Sequence, residues 1–192
     1  TRQVGDRRAE AKSLYGVAQI HTDRERYEQA LGSYEQALAI LREVGDRVGE
    51  GATFNEIGRV YYAQGRSDEA MSYYQQALAT SREARDRVVE ARALTNIGVV
   101  YRFRGQYDEA LGAYRQALGI WRELGDRTGE GATLFNIALL YDHQQRYDQA
   151  LSYYEQSLAI RREVGDWSGE IATLHNISLL YDSQGRYDEA LE

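Results

Sequence analysis

Apolar residues recur at helical spacing along the whole chain. Phe54, Ile57 and Tyr61 stand three and four residues apart, which places them on one face of an α-helix. A second stretch, from Ala70 to Leu78, has the same spacing. We therefore predict pairs of helices joined by tight turns, each helix about 18 residues or roughly 27 Å long.

The pattern repeats every 40 residues without a gap. The positions in register include Glu10, Glu50, Glu90, Glu130 and Glu170. A fixed period indicates a stack of like units, each packing mainly on its neighbours. The predicted units are 6–45, 46–85, 86–125, 126–165 and 166–192, with residues 1–5 as the end of a preceding helix and 187–192 as the start of the second helix in the last, truncated unit.

The boundaries between helices carry start and stop signals. Asp46 is a predicted N-cap, because its carboxylate can accept hydrogen bonds from the first backbone N–H groups of the following helix. Gly45 is predicted to end the preceding helix in the left-handed conformation. Gly65 occupies the turn between paired helices, where a residue without Cβ fits best. Glu25 and Gln145 replace that glycine in units one and four, so we expect those two turns either to differ slightly from the others or to be strained.

The stretch from Leu94 to Leu118 reads Leu-x-x-Ile-Gly-x-x-Tyr-x-x-x-Gly-x-Tyr-x-x-Ala-x-x-x-Tyr-x-x-Ala-Leu. Small residues in its first glycine slot, such as Gly58, allow the paired helices to approach closely. The pattern resembles the tetratricopeptide repeat. That family has a usual period of about 34 residues and a proline near the end of the unit, whereas this chain has a longer period and no proline.

The longer form resembles LGN-type repeats and the bacterial arrays attached to signalling ATPases and caspase-like proteases. The resemblance covers the whole chain. It implies an all-α fold, a right-handed superhelical solenoid of antiparallel helix pairs. It also implies a concave peptide-binding surface made by the first helix of each pair.

Composition narrows the possible functions. The chain has 192 residues, of which 43% are hydrophobic and 28% charged, a balance typical of globular proteins. It has no cysteine, which excludes disulfides and thiolate zinc sites. A net charge of −7 argues against binding to nucleic acid that is mainly electrostatic. No apolar run is long enough for a membrane-spanning helix. We find no phosphate-binding loop or catalytic motif, and expect no enzymatic activity, no cofactor, no metal and a cytoplasmic location.

The side of each first helix that lies opposite the core is the predicted functional surface, here called the open face. Along its centre stand Gln19, Arg59, Val99, Leu139 and Leu179, and one turn earlier stand Tyr15, Asn55, Thr95, Phe135 and His175. The first two units are mostly polar or cationic there, and the last three are mostly apolar. A contiguous apolar strip on such a face favours a binding groove. The alternative is that solenoid curvature buries these side chains between neighbouring helices.

A row of asparagines runs beside the apolar strip, at Asn96, Asn136 and Asn176. An amide side chain both donates and accepts hydrogen bonds, which suits the backbone of an extended peptide. Asparagines in this slot resemble the peptide-holding asparagines of LGN-type arrays. The alternative is a ladder of side-chain hydrogen bonds between adjacent helices, with no ligand involved.

Charge on the open face is graded along the chain. We hypothesise a partner with an acidic end over Arg59, Arg92 and Arg102, because a guanidinium can make two bonds to a carboxylate. Its apolar middle would lie over Val99, Phe135 and Leu139. The candidate binding residues are Asn55, Arg59, Tyr62, Arg92, Asn96, Val99, Arg102, Phe135, Asn136, Leu139, Asp142, His175, Asn176 and Leu179.

The sequence therefore predicts a non-catalytic interaction scaffold whose partner is a protein or peptide, not nucleic acid and not a membrane. One alternative is the sensor or regulatory arm of a larger signalling enzyme, an ATPase or a protease, whose catalytic domain is absent from this chain. Another is an end-to-end self-assembly element, since uncapped repeat ends expose apolar surface.

Overall fold

The computed structural model describes residues 2–185, with side chains from Gly5 onward. Within this range the chain forms nine α-helices and no strand. None of these helices combines the length and apolar composition that a bilayer crossing requires. The helices are α1 (Arg2–Asp23), α2 (Tyr27–Glu43), α3 (Arg47–Ala63), α4 (Ser67–Ala84), α5 (Arg87–Phe103), α6 (Tyr107–Leu124), α7 (Arg127–His143), α8 (Tyr147–Val164) and α9 (Trp167–Ser183).

The chain divides after Val100 into two compact units. In the first unit α1 pairs with α2, α3 pairs with α4, and α2 packs on α3. In the second unit α7 pairs with α8, while α6 packs on α7 and α9 packs on α8. Helix α5 crosses the division, and its residues up to Val100 belong to the first unit. The all-α fold of helix pairs is the one predicted from the sequence.

The helices are held together by tyrosines at one position of each repeat. Tyr34, Tyr114 and Tyr154 are completely buried, and Tyr74 nearly so. Gly58 explains why small residues face them: a Cβ added there would lie 2.6 Å from the Tyr74 ring. This confirms the predicted close approach, since that distance is well inside van der Waals contact.

Both predicted boundary signals are present. The Asp46 carboxylate accepts a hydrogen bond from the Gly49 N–H at 2.9 Å, and so caps α3. Gly45 has a φ of +67°, which is left-handed as predicted. Glu25 and Gln145 adopt φ angles of 57° and 59°, so the turn keeps its left-handed form even where the side chain makes it costly.

The repeated glutamates tie each even-numbered helix to the odd-numbered helix that follows it. Glu90 accepts hydrogen bonds from Arg82 Nε at 2.9 Å and from Arg87 Nη1 at 2.7 Å. Glu130 is bound in the same way by Arg122 and Arg127. Burial alone would raise the pKa of Glu90, but the two arginines outweigh it and the pKa is lowered.

One predicted boundary is not formed. Helix α1 runs without a break from Arg2 to Asp23, through Gly5 and Asp6, where the sequence indicated a junction. The helix start expected at 187–192 lies outside the described residues.

Candidate functional site on the odd-numbered helices

The predicted open face lies on the odd-numbered helices, and its side chains differ widely in exposure. Those that are exposed are Arg59, Arg92, His175 and Leu179. Those that are half-buried are Tyr62, Asn96, Val99, Phe135, Asn136, Leu139, Asp142 and Asn176. Asn55 and Arg102 are buried. The open face is therefore only partly accessible to solvent, and some of its polar side chains are buried.

The sequence placed Asn55 on the open face, but the structure buries its side chain. Its side chain is only 3% exposed, and its Oδ1 accepts a hydrogen bond from Asn96 Nδ2 at 3.0 Å. Its Nδ2 donates to the carboxylate of the neighbouring Glu56, which is also buried. The physical reason is that α3 and α5 lie side by side, so residues on the flank of the open face are covered by the adjacent odd-numbered helix.

The three asparagines of the predicted row have three different environments. Asn96 on α5 donates to Asn55 of α3, a residue that is not part of the predicted row. Asn176 donates to the Ala172 carbonyl of its own helix at 2.8 Å. The Asn136 side chain makes no hydrogen bond to any residue in the range 2–185. Of the three amides, that of Asn136 is the one left available to a ligand.

Arg59 is exposed but is already paired. Its Nη1 lies 2.7 Å from Glu56 Oε2 on the same helix. A cleft of about 200 Å³ opens beside this pair, between α1 and α3. Its lining residues are Gln19, Thr22, Asp23, Tyr34, Glu56 and Arg59. Arg59 therefore adds little free positive charge to this part of the face.

Arg102 is buried near the end of α5. Its Nη1 lies 3.1 Å from His143 Nε2, and its guanidinium carbon lies 4.5 Å from the centroid of the Phe103 ring. Its Nε has no hydrogen-bond partner among the described residues. Burial raises the pKa of the nearby Asp142, against the opposing effect of His143. Of the three arginines assigned to an acidic partner, only Arg92 is exposed and makes no ion pair to another described residue.

Phe135 packs partly against the neighbouring helix of its pair. Its ring centroid lies 5.6 Å from that of Tyr154, and the Arg161 guanidinium lies 5.0 Å from it. Both partners belong to α8, so part of the half-buried Phe135 side chain packs inside the helix pair, and its contact with a ligand stays a prediction. The physical reason is that α7 packs directly on α8, which covers this side of the helix. Leu139 on α7 stays half-buried, and Leu179 on α9 is 51% exposed.

The histidines do not form a metal site. His143 contacts Arg102, His175 is exposed on α9, and His21 lies on α1. Within residues 2–185 no three His, Asp or Glu side chains gather closely enough to hold a metal ion.

Sequence reasoning missed the cleft between α1 and α3. Gln19 and Asp23 stand four residues apart on one face of α1, which a helical wheel shows. Tyr34 and Glu56, however, come from α2 and α3, so the wheel of a single helix does not bring them together with α1. The available signal was the 40-residue register, which places Gln19 and Arg59 in equivalent positions on adjacent odd-numbered helices.

Solved structures share this fold. BtubC (BKLC) from P. vanneervenii superposes with a TM-score of 0.80 and 19% identity, over 98% of this chain and 85% of that chain. A Rap protein complexed with Competence and Sporulation Factor has a TM-score of 0.83 and 20% identity, over 95% of this chain and 51% of that one. A Rap conjugation gene regulator in complex with a peptide has a TM-score of 0.79 and 16% identity, over 93% and 49%. The chain spans about half the length of these two Rap proteins, and at such identities the likeness is one of fold.

Comparison with family models identifies the family of this chain. Comparison with curated proteins gives no match. The family model described as Tetratricopeptide repeat matches residues 9–83, 89–163 and 132–192, which together make up nearly the whole chain. The period of 40 residues, the helix pairs and the buried tyrosines are the physical counterpart of that match. The chain belongs to the tetratricopeptide repeat family.

Proposed function

We propose that the protein is a non-catalytic scaffold that binds a peptide or protein segment along the open face of its odd-numbered helices. The family fold supports a role in protein interaction. The observation that carries the proposal lies on α7, where half-buried Leu139 stands one turn from Asn136, whose amide is unpaired within the described residues. An apolar contact beside a free donor and acceptor is what an extended peptide backbone requires.

Helix α7 is well suited to present these two side chains. Asp126 caps it by accepting from the Gly129 N–H at 2.8 Å, and Glu130 ties its first turn to α6 through Arg122. Leu140, next to Leu139, is 1% exposed and anchors the helix in the core. A binding surface on a helix fixed in this way loses little conformational entropy when a ligand binds.

The structural likeness to a Rap regulator in complex with a peptide agrees with this proposal. The agreement is at the level of fold, because only 16% of the residues are identical. The α7 residues therefore carry the proposal, and the likeness adds that helix pairs of this geometry can accommodate a peptide.

The test uses peptides selected by phage display against the immobilised chain, with affinities measured by calorimetry. The double variant Asn136→Ala with Leu139→Asp removes the amide and places a charge in the apolar contact. We expect binding at least about tenfold weaker, which corresponds to roughly 1.4 kcal/mol.

The matched control is Gln156→Ala with Ala159→Asp, the same kinds of change at the same spacing on the exposed side of α8. It should bind as the unchanged chain does. Both variants must keep the circular dichroism and melting temperature of a folded protein. Selected peptides that bind both variants equally well would contradict the proposal.

A further inference from the structure

The cleft between α1 and α3 is lined by polar side chains. It encloses about 200 Å³, which suits one side-chain head group better than a drug-sized molecule. Three helices form it, since Asp23 comes from α1, Tyr34 from α2 and Glu56 from α3. All three helices belong to the first compact unit.

One buried group in this cleft lacks a hydrogen-bond partner. Tyr34 is completely buried, and its hydroxyl forms no hydrogen bond within residues 2–185. Burial raises the pKa of the Tyr34 phenol, and the nearby Thr22 hydroxyl opposes that rise. The Thr22 hydroxyl donates its own hydrogen bond to the Ala18 carbonyl at 2.9 Å and makes no well-formed hydrogen bond to Tyr34. Leaving a buried hydroxyl unpaired is costly. A ligand in the cleft would supply the missing partner.

The lining is rich in acceptors. Asp23 and Glu56 contribute carboxylates, and Gln19, Thr22 and Tyr34 contribute neutral oxygens. Glu56 accepts one bond from Asn55 and one from Arg59, so part of its capacity of about four lone-pair sites stays available. Two carboxylates against one arginine leave the cleft with a formal charge of −1.

We propose that this cleft binds a cationic side chain of the partner, a guanidinium in preference to an ammonium. A guanidinium carries five N–H donors in a plane and no acceptor, which complements a narrow cleft lined by oxygens from three helices. That the partner is a peptide rests on the function proposed above. The recognition of the cation rests on the cleft alone.

At Arg59 the partner group that the cleft would bind is cationic, whereas the sequence predicted an acidic one. Arg59 was assigned to an acidic end of the partner, but its ion pair with Glu56 neutralises it. The unpaired carboxylate of the cleft is that of exposed Asp23 on the facing helix, which makes no ion pair to another described residue. The first unit therefore attracts positive charge at this position.

The test is a nuclear magnetic resonance titration of the ¹⁵N-labelled full chain with N-acetyl-arginine N-methylamide. We expect saturable shifts of the backbone amides in Gln19–Asp23 and Glu56–Arg59. The uncharged isostere N-acetyl-citrulline N-methylamide should bind at least about tenfold more weakly, because hydrogen bonds to charged groups contribute more. The corresponding lysine derivative should fall between the two.

Variants then separate local recognition from the general field of an acidic protein. Asp23→Asn and Tyr34→Phe should each weaken binding of the arginine probe about three- to tenfold. Glu35→Gln removes an exposed carboxylate of α2 and is the matched control for charge. Tyr154→Phe removes an equally buried and unpaired hydroxyl in the second unit, and is the matched control for the phenol. Both controls should leave the affinity unchanged.

The arginine titration can fail without the open-face function failing. Equal affinity for the arginine and citrulline probes, or shifts spread over the surface without saturation, overturns the cleft proposal. Equal losses in Asp23→Asn and Glu35→Gln overturn it as well. Selected peptides that depend on Asn136 and Leu139 would then still support the open-face function, because those residues lie in the other unit.

Discussion

At the scale of single residues, Gly58 shows how a helix pair depends on one missing atom. A Cβ at this position would lie 2.6 Å from the ring of Tyr74, which is itself buried in the core, so the ring or the helix would have to shift. We expect Gly58→Ala to lower the free energy of unfolding by about 1–3 kcal/mol, because overpacking outweighs the roughly 1 kcal/mol that alanine gains in a helix. Urea denaturation followed by circular dichroism measures this difference.

Gly112 is the matched control for that substitution. It also lies inside a helix, but it is exposed on α6 and a Cβ there would meet nothing within 4 Å. Gly112→Ala should therefore raise the free energy of unfolding by about 0.5–1 kcal/mol. If both substitutions stabilised the chain, the close approach at Gly58 would not be the cause of the small residue there.

At the scale of elements, the turn between α7 and α8 carries avoidable strain. Gln145 has a φ of 59°, a conformation that glycine adopts at the equivalent Gly65 and Gly105. A side chain with Cβ costs about 1 kcal/mol in this region. We expect Gln145→Gly to raise the free energy of unfolding by about 0.5–1 kcal/mol, measured by urea denaturation.

The neighbouring Gln144 distinguishes relief of strain from a general effect of glycine. Its φ of −84° is ordinary for any residue. Gln144→Gly should lower the free energy of unfolding by a few tenths of a kcal/mol, because glycine loses more conformational freedom on folding. The same sign of change for both substitutions would show that the left-handed turn is not strained.

At the scale of the whole molecule, ion pairs make stability depend on pH. The pKa of Glu90 is lowered by Arg82 and Arg87 against the effect of its burial. A carboxyl whose folded pKa is depressed adds stability above its unfolded pKa of about 4.3, and this is lost as the pH falls through the folded value. We expect the free energy of unfolding to fall between about pH 5 and pH 3, and Glu90→Gln to make that fall shallower.

Glu155→Gln removes an exposed carboxylate of α8 and is the control for net charge. It should leave the slope of stability against pH unchanged. A slope that is the same in Glu90→Gln and in the unchanged chain would show that the Arg82 and Arg87 bonds add no pH-dependent stability.

The sequence by itself determined the helix pairs, most of their boundaries and the family, although α1 continues through the junction expected at Gly5 and Asp6. These features depend on interactions between residues a few positions apart. Helical spacing selects a face, Asp46 caps the N–H groups three residues on, and glycine at Gly65 tolerates a left-handed turn. The 40-residue register adds the repeated glutamates and tyrosines, and also the arginines at positions 82, 122 and 162. It does not show that these arginines bind the glutamates of the following helix, which the structure does.

Only the tertiary structure decided which side chains of the open face are exposed. Asn55 is covered by Asn96 from the next odd-numbered helix, and Phe135 is held by α8. The cleft is lined by Tyr34 of α2 together with side chains of α1 and α3. These contacts join residues tens of positions apart. A helical wheel treats each helix alone, so it cannot show which neighbouring helix covers a side chain or which hydroxyl is left without a partner.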